Sequence, residues 1–139
     1  MSFERILKNP QDTEILANEL VHKFKGKTIF LNGPLGAGKT TFVKYFAKSM
    51  GFPDDISSPT FSIVNNYFSQ NGRIIHFDLY RIESEEELEM TGFYELIGEK
   101  NTTVLIECAE KFDLSLYIKN AVTVIISVLP DGSRKFEME

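Results

Sequence analysis

Apolar residues recur at helical spacing at Ala17, Leu20, Val21 and Phe24, with Asn9 and Pro10 ahead of them and Gly26 behind. A capping side chain, a first-turn proline and a terminating glycine predict a helix whose apolar face must dock on a neighbour. Residues 28–31 form a short β-prone run and 33–38 read as a loop. Phe42, Val43, Phe46 and Met50 then make the core stripe of a helix over 40–50, closed by Gly51. After a stretch rich in Pro and Ser, 62–68 and 73–80 read as strands joined through Asn71 and Gly72, a pair that favours a type I′ turn and hence antiparallel pairing. Residues 83–90 look helical and end near Gly92, and 102–107 is a buried type of strand. The run 122–129 is expected to pair with a last strand through a turn at Asp131 and Gly132.

Gly33-Pro34-Leu35-Gly36-Ala37-Gly38-Lys39-Thr40 matches G-x-x-x-x-G-K-[ST] and lies between an expected strand and an expected helix, the context in which a phosphate-binding loop works. Glycines let the main chain turn sharply and aim successive N–H groups at phosphate oxygens, reinforced by the positive end of the following helix. Lys39 can reach the β- and γ-phosphates as a mobile charge, the Thr40 hydroxyl is placed to bind Mg²⁺, and Thr41 is expected at the α-phosphate. An ordinary Gly-rich turn would not need strand, motif and helix in this register. The chain is therefore expected to bind ATP with Mg²⁺. Its fold class is expected to be α/β, a three-layer P-loop NTPase fold with a mostly parallel central sheet and antiparallel hairpin strands.

Hydrolysis also needs a carboxylate near the metal, usually at the end of an apolar strand beside the loop. Both Glu107, after Val104-Leu105-Ile106, and Asp78, after Ile74-Ile75-His76-Phe77, qualify, and spacing alone does not rank them. Period-two alternation puts His76, Asp78 and Tyr80 on one strand face and Ile75, Phe77 and Leu79 on the other. Cys108 reads as a small buried hydrophobe.

Composition narrows the rest. A length of 139 residues suits one domain, and a formal charge of -5 argues against a broad electrostatic grip on nucleic acid. Cys108 is the sole cysteine, so no internal disulfide forms, and the N-terminus lacks the apolar core of a secretory signal. No run approaches the roughly 20 apolar residues of a membrane span, since even 122–129 is short and contains Thr123 and Ser127. A soluble, cytoplasmic protein without membrane contact is the expectation.

Gly36-Ala37-Gly38-Lys39-Thr40-Thr41-Phe42, Ser58-Pro59-Thr60-Phe61, His76-Phe77-Asp78-Leu79-Tyr80-Arg81 and Ile106-Glu107, in this order and spacing, closely resemble the TsaE (YjeE) family over nearly the whole chain. The resemblance implies the ATPase component of the bacterial machinery that makes N6-threonylcarbamoyladenosine at position 37 of tRNAs, working with TsaB and TsaD and meeting tRNA through that complex. It further implies that residues 58–61 form a switch-like loop near the γ-phosphate and that Glu107 completes the Mg²⁺ shell with Thr40. It puts Asp78 at the catalytic centre, Thr13 in the adenine pocket and Arg134 near the nucleotide. Two departures stand out: the family usually has an acid at Pro34 and a Trp at Cys108. The first removes a charge but leaves the glycines and Lys39 intact, and the second removes a large ring beside the site.

Two other functions share the loop. A small-molecule kinase commonly carries an arginine-rich lid, whereas Arg5, Arg73, Arg81 and Arg134 are scattered. A nucleotide-gated binding module would use ATP to order 58–61 with hydrolysis incidental. No N-K-x-D motif supports a GTPase, and the chain is too small for an ABC ATPase. None of the arginines is an obvious preplaced finger, a group worth roughly 10³ to 10⁵ in rate, so hydrolysis by the isolated protein is expected to be slow.

Overall fold

A computed structural model of the chain describes residues 3–34, 36–52, 64–70, 72–114, 117–118 and 121–138. Strands β1 (Phe3–Leu7), β2 (Thr28–Asn32), β3 (Val64–Ser69), β4 (Gly72–Asp78), β5 (Thr102–Glu107), β6 (Ala121–Val128) and β7 (Arg134–Met138) form one sheet in the order β1-β7-β6-β2-β5-β4-β3. The middle strands β6, β2, β5 and β4 run parallel, while β1–β7, β6–β7 and β3–β4 pair antiparallel at the flanks. The mostly parallel centre with antiparallel hairpin strands is the arrangement expected from the sequence.

Helices α1 (Pro10–Phe24) and α2 (Lys39–Ser49) cover one face. The Asn9 side chain accepts from the Asp12 N–H at 2.9 Å and Pro10 occupies the first turn, so the anticipated start of α1 is the observed one. Phe24 of α1, Phe42 and Phe46 of α2 and Phe136 of β7 are fully or almost fully buried with ring centroids 5.4–6.4 Å apart. Each such ring contributes about 1.5–3 kcal/mol by leaving water, and together they fix α2 against the sheet. The opposite face of β4 and β5 lies under α3 (Glu85–Met90), the four-residue helix α4 (Phe93–Leu96) and a single 3-10 turn at Ala109–Lys111. Alternation sorts the strands: Ile74 and Leu105 join the α1/α2 core, and Ile75, Val104 and Ile106 join the other. Ser84 caps α3 by accepting from the Glu87 N–H, so the helix starts two residues later than the 83–90 pattern suggested.

Other features differ from the sequence reading as well: β4 ends at Asp78, leaving Tyr80 in the turn beyond it. Strand β1 was not anticipated; it is recruited by β7 from the other end of the chain. Helix α4 was likewise missed. The β3–β4 hairpin pairs Ser69 with Gly72, so the connection is Gln70 and Asn71 rather than Asn71 and Gly72. Gly72 serves another purpose: a Cβ there would lie 2.9 Å from the Asn101 carbonyl oxygen, where the chain enters β5. Asn71 itself, and the segment 58–61, lie outside the described residues. No described helix is long and apolar enough to cross a membrane.

Candidate functional site

Parallel strands bring their carboxyl ends to one edge of the sheet, and there β2 hands over to α2 through the glycine-rich loop. Gly33 opens that loop because the chain passes beside β6: a Cβ at Gly33 would sit 2.5 Å from the Ile126 carbonyl oxygen. Gly38 caps α2 with φ 102°. The Lys39 side chain is about nine-tenths buried, and its Nζ donates to the Gly33 carbonyl oxygen at 2.8 Å, holding the ammonium inside the curve of the loop.

A cavity of about 610 Å³ opens in front of the loop, lined by Gly33, Gly36, Gly38, Lys39, Thr40 and Thr41 on one side and by Asp78 and Glu107 on the other. The two acids left unranked by the sequence are register neighbours at the ends of β4 and β5. Asp78 is half-buried and its Oδ1 accepts from the Tyr80 N–H at 3.0 Å. Glu107 is 4% exposed, and its Oε2 meets His76 Nε2 at 2.6 Å. Behind the loop a smaller cavity of about 230 Å³ is lined by Thr13, Pro10, Ala37, Phe42, Arg134 and Phe136, and Gly38 and Thr41 border both. The sequence-derived residues thus divide between two hollows that share Gly38 and Thr41 as lining, with Thr13 and Arg134 together at the second.

Arg134 does more than line a wall. Its Nε and Nη2 donate to the Ala37 and Gly36 carbonyl oxygens at 3.2 and 3.3 Å, and Nη1 to the Gly132 carbonyl. Lys111 is a site residue that sequence reasoning missed. Its Nζ donates to the carbonyls of Leu79, Tyr80 and Ile82, bracing the turn that follows Asp78. A lone lysine in a charged stretch carries no signal for that.

Cys108 departs from the expected buried hydrophobe. It is half-buried, lines the larger cavity and adopts φ 61°, which swings the chain out of β5 into the 3-10 turn. Burial pushes its thiol pKa up, partly offset by the Lys39 charge and reinforced by Asp78, Glu110 and Glu107.

Among the described residues, no three His, Cys, Asp or Glu side chains gather to hold a metal by themselves. Mg²⁺ is ordinarily held by one or two carboxylates together with substrate phosphates. A hydroxyl at Thr40 on the loop side of the cavity and carboxylates at Glu107 and Asp78 on the facing side fit that pattern.

A family model for threonylcarbamoyl adenosine biosynthesis protein TsaE matches residues 7–136. The chain is 46% identical over 92 residues to the tRNA threonylcarbamoyladenosine biosynthesis protein TsaE of Aquifex aeolicus, covering 64% of this chain and 69% of that protein. It is 41% identical over 131 residues to the namesake from Rickettsia felis, covering 93% and 75%. With the Haemophilus influenzae namesake it shares 38% over 91 residues, 66% of this chain and 57% of that one. The crystal structure of Bacillus subtilis YdiB superposes with a TM-score of 0.74 over 99% of this chain and 84% of its own, at 24% identity, a likeness of fold.

Proposed function

The chain belongs to the TsaE family of threonylcarbamoyl adenosine biosynthesis proteins, and from that premise we propose that it binds ATP with Mg²⁺ and hydrolyses the ATP to ADP and phosphate. It does so in the cytoplasm, in support of tRNA N6-threonylcarbamoyladenosine formation with TsaB and TsaD, and meets tRNA only through that complex. The observation that carries the reading is the convergence of Lys39, Thr40, Asp78 and Glu107 on one cavity in front of the glycine loop.

In this reading the loop N–H groups and the N-terminus of α2 receive the phosphates. Lys39 exchanges the Gly33 carbonyl for phosphate oxygens, a short swing for a flexible side chain. The adenine lies toward Thr13 in the smaller cavity, on the far side of Gly38 and Thr41. Thr40 and Glu107 hold the Mg²⁺, which when bound neutralises the charge that builds on the phosphates. Asp78 orients a water for attack on the γ-phosphorus: the new water–phosphorus bond forms as the bond to the β,γ-bridging oxygen breaks, and the proton leaves with the released phosphate or to solvent.

Three of the four arginines are engaged within the protein, while Arg81 is exposed in the turn after Asp78. Arg5 pairs with Glu19, Arg73 with Glu99, and Arg134 with the loop carbonyls. This supports slow hydrolysis by the isolated protein, with a partner completing the site, and it weighs against a kinase lid. The test is a steady-state ATPase assay of wild type and Lys39→Ala, alone and with TsaB and TsaD. Weak activity that rises on adding the partners and vanishes with Lys39→Ala is expected. A rate indifferent to the partners opposes the proposed assembly, and phosphoryl transfer to a nucleoside or nucleotide acceptor would favour a kinase.

A further inference from the structure

Two polar side chains face each other inside the sheet at positions an apolar pattern would fill with hydrocarbon. His76 is 0% exposed and Glu107 4% exposed. In the parallel ladder His76 is level with Leu105, and Glu107 with Asp78, so the two meet diagonally on the α1/α2 face of the sheet. They touch through Nε2 and Oε2 at 2.6 Å.

The remaining atoms say what the contact is for. An ionised carboxylate only accepts, so the contact puts the imidazole proton on Nε2. His76 Nδ1 is then left buried with no hydrogen-bond partner among the described residues. Buried polar atoms ordinarily find partners, and an imidazole kept for its own network would use both nitrogens. Here one nitrogen goes without while the other is committed to Glu107. That commitment occupies Oε2 and leaves Oε1 as the carboxylate oxygen available to the cavity that Glu107 lines.

We propose that His76 is a positioning residue for Glu107: its Nε2–H holds the carboxylate in one rotamer so that the other oxygen is presented to a magnesium–phosphate ligand. The inference rests on the reading that Glu107 belongs to the metal shell. Its physical basis is that an untethered glutamate loses several rotamers when it takes up a ligand, whereas one already tethered does not. Partners that orient a metal-binding side chain in this way are typically worth about 10–100-fold in metal affinity.

The test separates metal-dependent from metal-independent binding. ATP affinity is measured by calorimetry with Mg²⁺ and with EDTA for wild type, His76→Leu, His76→Gln and Glu107→Gln. Thermal melts identify the folded variants. Should leucine leave an unfolded protein, His76→Phe keeps a ring without the donor. Expected is a donorless variant whose Mg²⁺-dependent gain in affinity falls about tenfold or more while its affinity in EDTA is unchanged. His76→Gln, with an amide N–H of similar reach, should recover most of the gain. In the Glu107→Gln background, removing the imidazole should cost nothing further.

A folded donorless variant with the full gain overturns the positioning role. So does one that loses affinity equally with and without Mg²⁺, which is what a merely structural histidine would do. A wild type whose ATP affinity ignores Mg²⁺ instead overturns the metal reading on which the inference stands.

Discussion

Arg134 Nε lies 3.2 Å from the Ala37 carbonyl oxygen, a bond that ties the start of β7 to the glycine loop across 97 residues of sequence. A trans peptide holds its C=O and N–H on opposite sides, so the Gly38 N–H, which shares a peptide unit with that carbonyl, is turned away from the guanidinium. The arginine therefore sets the orientation of a loop amide through the carbonyls it holds. Arg134→Ala is expected to weaken ATP binding by about 1 kcal/mol, roughly fivefold. Arg134→Lys should restore only part of this, because an ammonium cannot span two carbonyls as a planar fork does. Calorimetric Kd values decide it, and an unchanged Kd for Arg134→Ala would mean the contact is idle.

Gly33 offers a steric test of the same loop. The 2.5 Å approach to the Ile126 carbonyl involves main chain on both sides, so neither partner can step aside without moving β2 or β6. Gly33→Ala should cost about 1–3 kcal/mol, in the range of overpacking, and should weaken nucleotide binding. Gly98 lies outside the loop at a φ open to any residue, and a Cβ there would make only ordinary contact, 3.9 Å from the Glu95 carbonyl oxygen, which makes Gly98→Ala the control for volume alone. Equal melting temperatures for Gly33→Ala and wild type would remove the packing argument.

Much of this site was legible because its chemistry is local. The loop motif, the strand before it and the helix after it lie within a few residues of one another, and the two strand-end acids announce themselves by ending apolar runs. Alternation correctly grouped His76 with Asp78, but period two says only which side chains share a face. It does not say which face a helix will cover, so the burial of His76 and its contact with Glu107 emerge only when α1 and α2 pack. Strand β1 was illegible for a related reason: Phe3-Glu4-Arg5-Ile6-Leu7 is short and interrupted by the charged pair Glu4 and Arg5, and it becomes a strand because β7 supplies the hydrogen bonds. The β3–β4 turn misled because Gly72 reads as a turn residue. What requires glycine there is the close approach of Asn101, a contact between distant parts of the chain.

Cys108 can report on the cavity. Its thiol pKa is raised, chiefly by burial, so at pH 8 its thiolate fraction is below that of an ordinary cysteine. Alkylation by iodoacetamide should accordingly be slower than for a free thiol and should accelerate above the usual thiol range. Because Cys108 lines the larger cavity, MgATP should slow it further. Labelling followed by mass spectrometry reads both effects, and a rate unaffected by MgATP would mean the nucleotide does not reach this wall.

The turn into β7 carries a pH signature. Ser133 donates to Asp131 Oδ1 through its hydroxyl at 2.5 Å and its N–H at 2.9 Å. These bonds hold the Asp131 carboxyl below its ordinary value. A depressed folded-state pKa adds stability that is present above the ordinary carboxylate pKa and lost as the pH falls through the lower folded-state value. Asp131→Asn should therefore melt below wild type near neutral pH, and the difference should shrink on acidification. A gap that is constant with pH would assign the turn's stability to shape rather than charge.

The most direct measurement is a calorimetric titration of wild type and Lys39→Ala with MgATP. Lys39 sits inside the curve of the loop, held at 2.8 Å by the Gly33 carbonyl, and removing its charge takes away the group that would answer the β- and γ-phosphates. Saturable one-to-one binding by wild type, lost or severely weakened in a folded Lys39→Ala variant, is the expected result. No heat from wild type, or equal affinity in the two proteins, would contradict it.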